Sequence, residues 1–277
     1  MANYDRMRRA TSGLMTTLTA LCTLLAVSAL LIILSYIAWK GIGSLSFQFL
    51  IDRPRPVGEV GGIGNAILGS LLLLLISSAI GLSLGICVGV YLSEIGRGRL
   101  GGTVRFIVDT LTGIPSIVTG VFVYAILVLP MKHFSALAGG VALALIMVPI
   151  VARTTEEMLK LVPHSMREGA LALGAPQWRV ILGVVIPAAA PGIATGAMLA
   201  IARVSGETAP LLFTAFGSRF FPTSLNEPIA SLTVQIYNYA ISPYDEWHAQ
   251  AWAATLVLMT LVLGINIIVR FLTRKRF

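Results

Sequence analysis

The sequence predicts an all-α integral membrane protein with six transmembrane helices. Composition is the first observation: 56% of the 277 residues are hydrophobic and 12% are charged, which is not the balance of a soluble domain. The second is length, because six apolar runs each reach the roughly 20 residues needed to cross a bilayer. The runs occupy residues 14–38, 66–93, 106–130, 136–158, 184–216 and 250–272.

The basic residues predict how these helices are oriented. Fourteen of the 20 Lys and Arg residues form four clusters, which are Arg6, Arg8, Arg9; Arg97, Arg99, Arg105; Arg153, Lys160, Arg167, Arg179; and Arg270, Arg274, Lys275, Arg276. With six spans, all four clusters lie on one side of the membrane, and the positive-inside rule makes that side cytoplasmic. We therefore expect both termini in the cytoplasm and a first helix that is retained as a span rather than cleaved. The net charge of +8 is not gathered in one patch, so we expect no nucleic-acid partner.

One polar stretch between spans four and five predicts a short structure outside the membrane. It reads SMREGALALGAPQWRVILGVVIP and runs from Ser165 to Pro187. Ser165 and Glu168 have the spacing of a capping box, which predicts a helix that begins at Ser165. Gly174 suits the left-handed residue that ends such a helix, and Pro176 suits the first turn of the next one. The stretch therefore predicts a cytoplasmic helix–turn–helix; an ordinary amphipathic loop is the alternative.

Span five carries the charges that are most costly to place in a membrane. Prolines and glycines between positions 187 and 196 predict an irregular start to this helix. Counted from Pro191, Arg203 lies about 18 Å along the helix, near the middle of a ~30 Å hydrocarbon core. Glu207 follows at i+4 on the same face. Because a charge at that depth costs roughly 2.5–3.5 kcal/mol, the pair is predicted to face a substrate pathway. A salt bridge that only holds helices together is the alternative.

Other charged residues are predicted to be satisfied locally. Arg105 and Asp109 have the i,i+4 spacing of a pair on one helix face. Glu156, Glu157 and Lys160 follow span four, and we expect them to be solvated at the cytoplasmic interface or to cap the transition into the polar stretch.

Two further features allow two interpretations each. Gly81, Gly85 and Gly89 form overlapping G-x-x-x-G repeats, which pack helices closely in lipid, either at a subunit or pore interface or within the chain. Arg53 and Arg55 lie in the segment after span one, where they are either an outer pair that attracts phosphate or, as we favour, part of a solvated loop.

The polar stretch resembles the coupling loop of ABC-importer permeases, whose pattern is E-A-A, three residues, Gly, nine residues, I-x-L-P. The matching positions are Glu168, Ala170, Gly174, Ile186 and Pro187, with Gly169 in place of an Ala and Val184 in place of an Ile. The resemblance implies that Glu168, Gly169, Ala170, Gly174, Ile186 and Pro187 couple this chain to an ATPase.

Three other segments are similar to phosphate ABC-importer permeases. They are GIPSI in span three, where Gly113 and Pro115 interrupt the helical hydrogen bonds, RVSGETAPLLFTA in span five, and the C-terminal AWAATLVLMTLVLGINIIVR. The resemblance implies a type I ABC-importer permease fold with a cytoplasmic coupling helix between helices four and five. It also implies a division into an N-terminal helix and external loop (1–63), a permease domain (64–272) and a basic cytoplasmic tail (273–277).

Under this resemblance, the chain is expected to carry inorganic phosphate across a bacterial inner membrane. The implied partners are a second permease subunit, a cytoplasmic ABC ATPase dimer, an external phosphate-binding protein and membrane lipid. The chain itself has no G-x-x-x-x-G-K-[ST], H-E-x-x-H or G-x-S-x-G motif. We therefore expect no catalytic residue, metal site or cofactor in this chain, with ATP and Mg²⁺ bound by the partner ATPase.

The two charges of span five also bear on the choice of anion. Arg203 can donate two parallel hydrogen bonds to an oxyanion. Glu207 can accept a hydrogen bond from a protonated oxygen of phosphate, but its negative charge would repel fully ionised sulfate. The alternatives are a permease of the same class for sulfate, molybdate or phosphonate, and an ATPase-independent channel or carrier.

Overall fold

The structure is a computed structural model that describes residues 2–59, 61–96 and 98–274, without the side chains at positions 2–6, 9, 10 and 272–274. In this part of the chain all regular elements are helical. We number them α1 Ala2–Ile42, α2 Phe47–Ile51, α3 Gly64–Ile95, α4 Gly98–Gly113, α5 Ser116–Met131, α6 Ala136–Lys160, α7 His164–Ala172, α8 Gln177–Ser205, α9 Ala209–Thr214, α10 Leu232–Ala240 and α11 Asp245–Arg274. Short π-helical stretches lie within α3, α5 and α8.

The predicted spans 14–38, 66–93, 136–158 and 250–272 fall inside α1, α3, α6 and α11, and each of these helices is long and apolar enough to cross a membrane. Arg97, Lys275 and Arg276 of the predicted basic clusters, and positions 275–277 of the predicted tail, lie outside the described residues, as do the side chains of Arg6, Arg9 and Arg274. Positions 273 and 274 belong to α11.

The centre of the bundle is the pair α3 and α6. The three glycines of the repeat lie against α6, where an added Cβ would come 2.9 Å from Met147 Cβ at Gly81, 2.6 Å from Val151 Cβ at Gly85 and 2.5 Å from Thr155 Cβ at Gly89. No side chain fits there, so the two backbones pack directly. The glycine stripe therefore serves packing within the chain, which decides between the two interpretations of its sequence.

The interruption predicted in the third span is present as a sharp bend. Residues 106–130 divide between α4 and α5, whose axes differ by 107°. The bend falls at Ile114 and Pro115, because proline lacks an N–H and restricts the residue before it to extended conformations. Near the bend, Thr112 Oγ1 donates to the Val108 carbonyl at 3.0 Å. The described residues therefore contain five unbroken candidate spans, or six if the bent pair crosses as one.

The fifth span also begins differently from the prediction. α8 starts at Gln177 and continues through Pro187 and Pro191, with a π-helical stretch at Ile181–Val185 just before the first proline. The wider turn accommodates a residue that cannot complete the α-helical ladder. Arg203 is consequently in the last turn of α8, about 39 Å along the helix from Gln177 at 1.5 Å per residue. The distance of about 18 Å counted from Pro191 therefore started inside α8, and the depth of Arg203 in the membrane stays a prediction.

Candidate substrate pathway and coupling surface

Arg203 and Glu207 form an ion pair at the end of α8. Arg203 Nη2 lies 3.3 Å from Glu207 Oε1. The Arg203 side chain is 58% exposed and the Glu207 side chain 13%, so the guanidinium is open while the carboxylate is largely enclosed. α8 ends at Ser205, which places Glu207 in the connector to α9. The Glu207 carbonyl accepts a hydrogen bond from Thr233 Oγ1 at 2.9 Å, and this fixes the connector to the start of α10.

Arg203 stands on the wall of a groove of about 510 Å³ between the α4–α5 bend, α6 and α8. Leu145, Ile146 and Ile150 of α6 make the floor apolar. Ser116 and Thr119, at the start of α5, bring hydroxyl groups to the same groove. A guanidinium with several free donors beside hydroxyls and an apolar wall can hold an oxyanion.

The predicted coupling helix is present as α7, with every residue at least partly exposed. The predicted capping box was wrong, because α7 begins at His164 and its N-cap is Pro163, without a side-chain hydrogen bond. The helix begins directly after Pro163, so Ser165 lies inside its first turn and is not its N-cap. The predicted end is confirmed: Gly174 has φ +83°, and Pro176 directly precedes the helix that starts at Gln177.

The six predicted coupling residues fall into two places. Glu168 and Gly169 are exposed on α7, Gly174 is exposed just after it, and Ala170 is half-buried against α8 and the end of α6. Ile186 and Pro187 lie inside α8, where Ile186 packs with Leu159 and Val185. Their coupling role stays a prediction.

A largely buried ion pair, which no sequence pattern indicated, fixes α7 to the bundle. Arg167 Nη2 donates to Glu94 Oε1 at 2.9 Å, and the two side chains are 15% and 10% exposed. The same guanidinium donates to the carbonyls of Leu159 at 2.8 Å and Val162 at 2.7 Å. α7 is thereby tied both to the end of α3 and to the end of α6. No local spacing signals the pair, since its residues are 73 positions apart.

The charges at the end of α6 also differ from the prediction. Glu156 is fully buried rather than solvated. Its Oε1 accepts from Arg105 Nε at 2.9 Å, Arg105 Nη2 at 2.7 Å and Lys160 Nζ. Arg105 is therefore bound to α6 instead of the predicted Asp109, which lies 3.9 Å from Arg153 Nη1. α4 contributes Arg105 from the side, because its bend away from α5 lays it along α6.

The comparisons with known proteins agree with this architecture. Residues 81–277 match the family described as binding-protein-dependent transport system inner membrane component. Among curated relatives, the phosphate transport system permease protein PstA of Yersinia pestis is 51% identical over 86% of this chain and 81% of its own length. The protein of the same name from Pasteurella multocida is 45% identical over 95% of this chain and 94% of its own.

A solved structure shows the same fold. A chain of an inward-facing methionine ABC transporter matches with a TM-score of 0.56 at 22% identity, over 77% of this chain and 93% of that chain. The protein belongs to the family of binding-protein-dependent transport inner membrane components and, within it, to the PstA-type permeases. It is accordingly a multi-pass membrane component of a transport system, with the type I importer permease fold.

Proposed function

We propose that this chain is the permease subunit of an ATP-driven importer that carries inorganic phosphate across the bacterial inner membrane. The observation that carries the proposal is the half-open Arg203–Glu207 pair on the wall of the groove, in a chain whose relatives are phosphate transport permeases. The N-terminal helix (1–63), the permease domain (64–272) and the cytoplasmic tail (273–277) are the proposed units.

Phosphate recognition in this proposal uses both members of the pair. Arg203 keeps most of its five donors available and presents them in a planar fork that fits two oxygens of a tetrahedral anion. Glu207 accepts a hydrogen bond from the O–H group of a protonated phosphate, and its enclosed position strengthens the preference over fully ionised oxyanions. A second, related permease subunit would close the open side of the groove.

Energy enters through α7 in this proposal. The exposed face of α7 docks on a cytoplasmic ABC ATPase dimer, which binds ATP and Mg²⁺ and performs the hydrolysis. Movement of α7 passes to α3 through Arg167 and Glu94, and to α8 through the short connector after Gly174. An external phosphate-binding protein delivers the anion to the opposite face.

The test is anion-stimulated ATP hydrolysis by the complex that co-purifies with this chain. The complex is reconstituted with its binding protein and given phosphate, sulfate, molybdate or phosphonate. We expect an ATPase and a second permease in the complex and stimulation by phosphate. Stimulation by another anion alone assigns the chain to that anion, and transport without any ATPase shows a channel or carrier.

Orientation is tested separately by thiol labelling. Cysteines introduced at Ser165, in α7, and at Ser224, between α9 and α10, should react from opposite sides of the membrane. An impermeant reagent added outside spheroplasts should modify only the second. Labelling of both positions from outside contradicts a cytoplasmic α7 and cytoplasmic termini.

A further inference from the structure

A second polar cavity lies at the far end of the bundle from α7. α3 begins beside it and ends against α7, so we call the cavity's side the outer face. It measures about 350 Å³, within the range of small-ligand sites. Its walls are the segment after α2, the connector from α9 to α10, α10 and the start of α11.

Two guanidinium groups make the cavity positive. Arg219 lines it from the α9–α10 connector and has no ion pair among the described residues. Arg55 lines it from the other side and makes two long ion pairs, at 3.9 Å with Asp52 and 3.8 Å with Glu59, whose carboxylates lie outside the lining. Gln235 and Asn238 of α10 add amide groups. The carboxylates are absent from the lining that the structure describes, so an anion meets donors.

A buried hydroxyl in the same wall makes no hydrogen bond of standard geometry, and its polar neighbour is the Gln235 side chain. Tyr239 is 3% exposed, packs on Trp247 at 5.1 Å between ring centroids, and its hydroxyl has no hydrogen bond within the described residues. A buried hydroxyl without a well-formed hydrogen bond is unfavourable, so such groups are rare unless something binds them. Burial raises the pKa of the Tyr239 phenol, while a hydrogen-bonding contact with the Gln235 side chain and the positive charge of Arg219 lower it. The hydroxyl therefore remains protonated and able to donate.

A hydrogen bond from α3 holds the connector that carries Arg219. The fully buried Asn65 donates from Nδ2 to the Ser218 carbonyl at 2.6 Å. The cavity wall also leads to the groove site, because Val234 lines the cavity and the adjacent Thr233 donates to the Glu207 carbonyl at 2.9 Å. An anion in the outer cavity is thus separated from the Arg203–Glu207 pair by the wall that α9 and α10 form.

We propose that this outer cavity binds one tetrahedral oxyanion, phosphate, held by Arg219, Arg55 and the Tyr239 hydroxyl, before the anion reaches Arg203. The inference rests on the proposed function for its choice of anion. It adds an entry site on the outer face that is separate from the groove.

The test is protection of a thiol in the cavity wall. Asn238→Cys is made in a Cys22→Ser, Cys87→Ser background, and the reaction of the introduced thiol with an impermeant maleimide is timed in the purified complex in lipid nanodiscs. Phosphate is titrated at constant ionic strength with chloride as the balancing anion. We expect phosphate to slow the reaction in a saturable manner while chloride does not. No protection, or equal protection by chloride, overturns the site.

Three variants sharpen the result. Arg219→Gln should raise the phosphate concentration for half-protection about tenfold, and Tyr239→Phe a few-fold, the effects of one charged and one neutral hydrogen bond. Lys132→Gln, an exposed cation on the same face outside the cavity, is the matched control and should change nothing. If Tyr239 is only a packing residue, the phosphate concentration for half-protection is the same in Tyr239→Phe as in the parent. That result contradicts a part for the hydroxyl in the site.

Three outcomes separate this inference from the proposed function. If phosphate-free binding protein slows labelling at position 238 and phosphate alone does not, the cavity is a contact surface for that protein. The proposed anion site is then wrong. If the parent complex hydrolyses ATP in response to phosphate but shows no protection, only the entry site fails. Absence of phosphate-stimulated hydrolysis in the parent complex contradicts the proposed function itself.

Discussion

Two carboxylate–cation pairs in this molecule share the i,i+4 spacing and differ in everything around them. Glu156 and Lys160 lie at the end of α6, where Arg105 from another helix completes the cluster and the carboxylate is fully buried. Arg203 and Glu207 lie at the end of α8, where the guanidinium is 58% exposed. Spacing alone therefore does not distinguish a structural pair from a binding pair.

The difference lies in which charges have spare hydrogen-bonding capacity. Glu156 Oε1 alone accepts three bonds, and Arg153 Nη1 lies 3.4 Å from Oε2, so a ligand finds little left to bind. Among the described residues Arg203 has one charged partner, Glu207. We infer that the first cluster holds α4 against α6 and that the second is available for an anion.

The largest expected effect is on the buried cluster. Glu156→Gln removes the charge that compensates Arg105 and Lys160 and should destabilise the fold by about 3 kcal/mol, the loss of two hydrogen bonds between charged groups. Glu157→Gln is the control, because that side chain is 54% exposed and its pair with Arg153 is worth at most about 1 kcal/mol. Thermal unfolding of the purified chain measures both. Equal melting temperatures for Glu156→Gln and Glu157→Gln would contradict a structural role for Glu156.

The next effect should appear in transport rather than in stability. Arg203→Met and Arg203→Met with Glu207→Gln should leave an assembled, ATP-binding complex whose phosphate uptake falls by about 100-fold, the loss of a charged, bidentate contact. Arg203→Lys should also be poor, because an ammonium lacks the planar fork. Glu207→Gln should keep binding-protein docking and lose much of the flux. Near-normal uptake by the double variant would reduce this pair to a structural one, like Glu156.

The Arg167–Glu94 pair lies between these two cases, since it is buried but joins an exposed helix to the bundle. Arg167→Ala leaves a carboxylate that is 10% exposed without its partner and frees two carbonyls. We expect a local loss of about 1.5–3 kcal/mol, which loosens α7 and reduces ATPase retention in pull-down from membranes. Arg99→Ala, an exposed cation at the start of α4, should retain the ATPase. Full retention in both variants would show that the pair does not position α7.

What the sequence could predict follows from how local each signal is. Long apolar runs predicted four spans that lie within the observed helices, and Gly174 predicted the end of α7. Both signals are local, because they depend only on neighbouring residues. Pro115 predicted an interruption but not a 107° bend, which depends on α5 packing against α9, where an added Cβ at Gly120 would lie 2.5 Å from Pro210 Cα. The two buried ion pairs join residues 51 and 73 positions apart, beyond any local pattern.

The smallest expected effect concerns the same coupling element without any charge. Gly174 has φ +83°, and an added Cβ meets no atom of the described residues within 4 Å, so a substitution there costs backbone strain and no clash. Gly174→Val should cost about 1–2 kcal/mol and misdirect the chain between α7 and α8, which uncouples or detaches the ATPase.

Gly169→Ala is the matched control, since it also meets open space among the described residues but lies inside the helix, where alanine is favoured by about 1 kcal/mol. Phosphate-driven ATP hydrolysis and ATPase retention should fall for position 174 and stay normal for position 169. If both variants retain the ATPase and import phosphate normally, the left-handed turn has no part in coupling, and the Arg167–Glu94 pair alone would position α7. If both variants fail, the exposed face of α7 tolerates no added methyl group. The glycines then allow the ATPase backbone to approach closely, and the left-handed turn is not what matters.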